Sequence, residues 1–245
     1  MITIQEYLLG KKKQKVAQIK ANNHTIKNII EEEIAKLGVD ADLNHIDVSE
    51  VTDASSLFSD TDFCGDISGW DVHNLEDGYS MFINCKNFDC DLSAWDTSSL
   101  KNAESMFSHC RKFNKPLNSW NTSSLEDCSW MFDNCDSFNQ DLDKWVVSNV
   151  RDFRLMFAKC RKFNGNITTW DVSKGTSFSE MFKDCEEFNQ DISRWNVEKG
   201  TTFRFMFFGA KNFDQDLSKW KISKSAQIDH AFDNGKMTSE KMPKQ

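Results

Sequence analysis

Eight cysteines, five histidines and two dense columns of Asp and Asn are the residues in this 245-residue chain whose types could do chemistry. Thiolates hold zinc when they come in close pairs, but Cys85, Cys110, Cys135, Cys160 and Cys185 follow one another at intervals of 25. Cys85 and Cys90 are five apart but fall in different columns, and Cys64, Cys90 and Cys128 lie outside the main one. Free Cys is among the most buried residue types, so a ladder of small buried thiols is the expected reading, with no metal and no disulfide. Stacked carboxylates could take calcium. One column runs Asp89, Asn114, Asn139, Asn164, Asn189, Asp214, and another runs Asp66, Asp91, Asp141, Asn166, Asp191, Asp216, broken by Pro116. Calcium loops of that kind are Gly-rich, and this chain has 10 Gly. Short polar side chains bonding to turn amides are the expected role, with calcium as the alternative. His24, His45, His73, His109 and His230 share no column and no motif. There is no nucleophile elbow, P-loop or dinucleotide fingerprint, so the chain reads as non-enzymatic and without a cofactor.

What positions these residues is an internal repeat. Trp recurs at 70, 95, 120, 145, 170, 195 and 220, always 25 apart. A first Phe series starts at 63 and ends at 213, and a second runs from 82 to 232, on the same period. The unit starting at Phe138 reads FNQDLDKWVVSNVRDFRLMFAKCRK. An incomplete unit with Val48, Val51, Leu57 and Phe58 precedes the first full one, out of phase by one residue, which places a deletion between Phe58 and Phe63. The last unit decays, with Ala231 in the Met column. A unit this short cannot bury its own apolar edge, whereas stacked copies can. The first Phe, the Leu or Ile and the Trp are expected to line one wall. The M-F-x-x-C segment is expected to form a short helical or 3₁₀ turn on the opposite wall. The predicted fold is an α/β repeat solenoid, a leucine-rich-repeat-like right-handed coil of about seven units.

The ends differ from the repeat. Residues 1–40 are read as a helical N-terminal cap, with Ile26, Ile29, Ile30, Ile34 and Leu37 at helical spacing and Gly38 as the stop. An earlier short helix is expected over Ile4 to Leu9, and Lys11, Lys12, Lys13 and Lys15 as a solvated turn. Residues 41–235 are the repeat domain and 236–245 a polar, frayed C-terminal tail.

Net charge is -8 with pI near 5.2, which argues against nucleic acid as the main partner, since phosphate binding needs clustered Lys and Arg. No stretch reaches the length of a membrane span. The start MITIQEYLLGKKKQKVAQIK lacks the marks of a secretory signal, so a cytoplasmic location is expected.

The segment M-F-x-x-C-x-x-F-N-Q-D-L-S-x-W-D-V-S resembles the repeat of BspA-like leucine-rich-repeat surface proteins, a type also found in mycoplasma lipoproteins. Residues 47–232 carry the resemblance. The M-F-x-x-C piece is similar to the A-F-x-x-C of the shorter treponemal leucine-rich repeats. The resemblance implies adhesion or protein binding, and a cell-surface or secreted location as the alternative to the cytoplasm.

Residues that break the pattern are the candidate partner surface. The residues 17 places after each first Phe are Ser80, Ser105, Trp130, Leu155, Glu180 and Phe205. A column that accepts Ser and Glu is expected to be exposed. Trp130 and Leu155 then make an apolar patch, and Phe205 extends it, flanked by Arg204 and Phe208. Local repacking is the plain alternative. Lys144, Arg194 and Lys219 form a second candidate row on the strand wall, where a solvated polar face is the plain reading. The function expected is protein–protein recognition by a rigid scaffold, as a secreted or surface adhesin, a phage-encoded or intracellular inhibitor or adaptor, or a calcium-binding structural module.

Overall fold

The computed structural model describes residues 18–244; the expected helix over Ile4 to Leu9 and the lysine run lie outside them. Regular elements are few: β1 (Ile19–Lys20), α1 (Ile26–Leu37), β2 (Ile46–Asp47) and a 3₁₀ turn (Ser239–Lys241). Between them each 25-residue unit makes one coil, and successive coils stack in parallel register. Phe107 N–H donates to Met131 O, Phe132 to Met156 O and Phe157 to Met181 O, and so on down the stack.

The segment that carries these bonds is M-F-x-x-C, and it is not helical. It is a run of overlapping turns. In one coil Met106, Ser108 and Cys110 donate back three residues to Ala103, Ser105 and Phe107, while Ser105, Phe107 and His109 donate forward to the next coil. Alternate amides thus serve the turn and the stack, which leaves no donor for a helical ladder. Its first N–H is met by a side chain: Glu104 bonds Asn102 Oδ1 and Arg154 bonds Asp152 Oδ1. Most of the regular coil-to-coil backbone bonding therefore lies on the wall where a helical turn was expected. The first-Phe wall is tied chiefly by side chains. Asn139 N–H bonds Asn114 Oδ1, Asn164 N–H bonds Asn139 Oδ1, and Asn189 N–H bonds Asn164 Oδ1.

Inside, columns become stacks. The Trp rings lie parallel, with centroids 6.4 Å apart at Trp145–Trp170 and 6.1 Å at Trp170–Trp195. Trp170 Nε1 donates to Leu142 O of the preceding coil at 2.8 Å. The two Phe series interleave, with Phe157 4.1 Å from Phe163 and 5.8 Å from Phe182. Each column Cys is buried and sends its thiol to the carbonyl of the second Phe one coil back, as Cys160 does to Phe132 O at 2.8 Å. A small hydrophobe with one weak donor suits that slot. Burial pushes the Cys110, Cys135, Cys160 and Cys185 thiols well above their ordinary pKa and Cys85 up to about 11. In the incomplete first unit Thr61 takes this slot, its hydroxyl 3.6 Å from Cys85 Sγ, so the missing residue falls between Thr61 and Phe63. The core also trades volume between columns. Phe153, Phe178 and Phe203 stand where earlier coils have Gly78, Ala103 and Cys128, and Gly175 and Gly200 stand where earlier coils have Leu or Val. A Cβ on Gly175 would lie 2.4 Å from the Phe178 ring, so the glycine makes room for the phenylalanine.

Helix α1 covers the first coil. Ile26 and Ile30 are buried and Ile29 and Ile34 are packed against the core. Leu37 is not in this seam: it is 54% exposed, because the last turn has run past the apolar surface before Gly38 (φ 98°) closes it. Glu33 fastens the helix to the coil through His45 Nε2 at 3.1 Å and carries Lys36 at 2.8 Å. Asn23 Oδ1 receives the N–H groups of Thr52 and Asp53. At the other end the segment expected as a frayed tail is docked: Leu217 N–H bonds Lys241 O, Lys241 pairs with Asp214 at 2.7 Å, and Met237 is buried. The reason is apolar: Met237 and Met242 pack on the core that the final coil would otherwise leave bare.

Trp170→Ala is expected to cost roughly 3–5 kcal/mol, as a large buried ring stacked on both faces leaves a cavity. Denaturant unfolding measures it, and a change under about 1 kcal/mol would mean the column is not core. Acid should loosen the coil corners. Asp91, Asp96, Asp171, Asp191 and Asp216 are held below the usual carboxylate range by hydrogen bonds from Ser93, Ser98, Ser173, Ser193 and Ser218. A depressed folded pKa stabilises fully above the unfolded value near about 3.9 and is lost as pH falls through the folded one. The melting temperature should fall as pH drops below about 4; a flat profile from pH 5 to 2.5 would refute the corner role.

Candidate functional site

The turn wall carries the feature that most departs from ordinary backbone. In each coil two residues have positive φ, and they stack as two columns. One comprises Asp60, Asn84, His109, Asn134, Lys159, Asp184, Gly209 and Asn234. Apart from Lys159 these are the types that tolerate the left-handed region. The other comprises Ser56, Ser80, Ser105, Trp130, Leu155, Glu180, Phe205 and His230. This is the column read from the sequence as a partner surface, and its composition does not suit the conformation. Trp130 (φ 60°), Leu155 (φ 52°) and Phe205 (φ 54°) hold bulky apolar side chains where the left-handed region costs about 1–2 kcal/mol.

The column is less exposed than expected. Ser80 is buried, and Trp130, Leu155, Glu180 and Phe205 are half-buried. A serine in a repeat column therefore did not signal full exposure; a left-handed residue on a crowded wall keeps its side chain near the neighbouring coils. Trp130 N–H donates to Arg154 O and Leu155 N–H to Ser179 O, so the two residues leave adjacent rungs. Phe205 meets Phe208 edge-on at 5.6 Å, stacks on His230 at 4.9 Å, and lies under Lys183 Nζ at 5.4 Å. Phe208 is half-buried; Arg204 is exposed and pairs with Asp229 at 3.4 Å. The structure thus brings Phe205, Phe208 and Arg204 into one cluster and puts Trp130 and Leu155 two to three coils away on the same wall. Lys144, Arg194 and Lys219 are exposed on another face and join no ion pair among the described residues.

Sequence reading missed Asp133. It sits on this wall, 3% exposed, with Oδ1 lacking any partner among the described residues and Oδ2 3.4 Å from His109 Nε2. Burial raises its pKa. Asn134 Nδ2 lies 3.3 Å from His109 Nδ1, on the other side of the ring from Asp133. The available signal was that Asp133 interrupts a column otherwise read as Ile83, Ser108, Ala158, Lys183 and Phe208. Trp195 Nε1 is also buried without an acceptor.

The column of Asp and Asn at the coil corners is occupied. Asp66, Asp91, Asn166, Asp191 and Asp216 accept the N–H of the residue two places on. Arg111, Asp136, Arg161, Glu186 and Lys211 form a row of exposed ion pairs of alternating sign, the closest 2.9 Å. Such pairs are worth about 0–1 kcal/mol. Among the described residues no group of three or more His, Cys, Asp or Glu is placed to hold a metal ion, and no helix is long and apolar enough to cross a membrane.

No curated protein and no solved structure matches the chain. The family described as "Mycoplasma protein of unknown function, DUF285" matches residues 26–145 and again residues 126–244, the two matches together spanning α1 and all the coils. The chain belongs to this family of mycoplasma-type repeats.

Proposed function

We propose that the chain is a non-enzymatic protein-binding scaffold, which recognises a partner protein on the turn wall. The observation that carries this reading is the left-handed column itself. Strained residues persist where surrounding structure over-determines them, and they concentrate at functional sites. Here the backbone strain is common to all coils, but Ser56, Ser80 and Ser105 meet it with a small side chain, whereas Trp130, Leu155 and Phe205 place large apolar groups there. Half-exposed aromatics on a rigid frame lose little ordering entropy on binding. Within this reading the stack is a leucine-rich-repeat-like, right-handed α/β solenoid akin to the BspA-like surface proteins. A cell-surface or secreted adhesin is one setting and a cytoplasmic adaptor or inhibitor the other; detection on intact source cells separates them.

Trp130→Ser and Phe205→Ser should lower partner capture about tenfold or more while shifting unfolding by less than about 1 kcal/mol, since relief of left-handed strain offsets part of the lost contact. The measurement is quantitative pull-down from source cells with wild-type, both variants and Lys144→Ser as a control, beside denaturant unfolding. Partners that persist on both variants but vanish with Lys144→Ser would move the site to the other face. Marked destabilisation of both variants would make these aromatics core.

A further inference from the structure

On the turn wall the bonds of three files between coils all point one way, whereas at the corner before it the direction reverses, as where Lys101 and Asn102 donate back to Glu76 O. Ser80 N–H donates to Glu104 O, Ser105 to Ser129 O, Trp130 to Arg154 O, Leu155 to Ser179 O, Glu180 to Arg204 O and Phe205 to Asp229 O. The N–H of Ser105 and the C=O of Glu104 belong to one peptide unit, so that unit points its N–H up the stack and its C=O down it. The files through Phe107 and through His109 repeat this without a break from Phe58 to Ala231 and from Asp60 to Asp233. An ordinary sheet edge alternates donors and acceptors. This wall instead has an edge of carbonyls at one end and an edge of amides at the other.

The two ends are treated differently. Helix α1 lies at the carbonyl end, where Asn23 bonds Thr52 and Asp53, and Ile26 lies against Ala54 and Leu57. At the amide end the N–H groups of His230, Phe232 and Asn234 find no acceptor among the described residues. Aligned peptide units sum their dipoles, as in a helix, where a similar set of free N–H groups carries about half a positive charge. The carboxylates nearest this edge are already paired, Asp229 with Arg204 at 3.4 Å and Asp233 with His230 at 2.7 Å. Phe232 is half-buried and stacks on Phe207 at 5.8 Å, with no ring of the described residues on its other face, whereas Phe207 is stacked on both.

We propose that the amide edge of the last coil, at His230, Phe232 and Asn234, docks an extended acidic segment of a partner protein. Only acceptors satisfy a row of donors, and carboxylates are favoured over neutral carbonyls at the positive end of the aligned dipoles. A second copy meeting this end symmetrically would bring donors to donors, and one stacking head to tail would have to pass α1, which packs on the first coil. This edge adjoins the far end of the Trp130–Phe205 row, where His230 stacks on Phe205, but lies four coils from Trp130.

The probe is a fluorescein-labelled peptide of alternating Glu and Ala, about ten residues long, followed by anisotropy against the full chain at low salt, beside its Gln–Ala counterpart. Replacing Phe232 by its α-hydroxy acid removes the N–H, which has no acceptor among the described residues, so the fold should be kept; circular dichroism checks it. The proposal expects binding of the acidic peptide, at least tenfold tighter than the neutral one. The Phe232 ester should weaken it about tenfold or more, and Trp130→Ser should leave it unchanged. Amide resonances of His230, Phe232 and Asn234 should shift on titration. No binding of the acidic peptide, equal binding of the neutral one, or unchanged binding by the ester would overturn it. Loss of binding in Trp130→Ser with the ester silent would place the acidic segment on the other surface and also overturn it.

Discussion

A hydrogen bond from each alternate amide of the turn wall to a carbonyl one coil further on is the constraint on which this molecule depends. It fixes every coil in register with the next, and register turns a sequence period into columns. Trp stacks on Trp because Phe132 N–H has already found Met156 O; Cys reaches a carbonyl one coil back for the same reason. A one-residue slip would break the bonds and misplace every column at once. The deletion before Phe63 is tolerated because it falls after Thr61, at a corner that does not carry the ladder.

The same bonds explain how so many residues sit at positive φ. The turn can offer alternate amides to the stack only if it reverses direction within each coil, and the left-handed residues make that reversal. At about 1–2 kcal/mol for an unsuited residue and about 0.5–1.5 kcal/mol net for a buried hydrogen bond, one coil gains little from the ladder alone. The balance is tipped by the stacked Phe and Trp rings beneath it. The ladder orients and the aromatic columns stabilise, so neither suffices alone.

The period, the buried columns and the covering helix were legible in the sequence, because burial and spacing are what composition records directly: Trp70 through Trp220 announce a stack before any coordinates. The turn wall was not. M-F-x-x-C has apolar residues at helical spacing, and periodicity does not distinguish a helix from overlapping turns that bury the same side. A clue was present in the Asn84, Asn134, Asp184, Gly209 and Asn234 column, whose types favour the left-handed region. The Ser80 column carried no such clue, since Trp130 and Leu155 adopt that conformation against their own preference. Exposure was misjudged there because Ser is compatible both with solvent and with a crowded turn. Leu37 failed for a different reason: helical spacing gives the face of a residue, not how far the surface beneath it extends.

The register that builds the core also leaves the outside of the wall free to vary. With alternate amides committed between coils and the Asx side chains committed to corners, the outward residues beside Trp130 and Phe205 carry little of the folding burden. They can differ from coil to coil, as Ser105, Trp130, Leu155 and Glu180 do, while the Phe and Met between them hardly change. Variation in an outward column, on a frame that holds each member of the column in the same backbone conformation, lets a surface differ residue by residue without disturbing the stack. The fold's own chemistry is then concentrated at its two ends, where the ladder stops and its amides or carbonyls must find something else to bond.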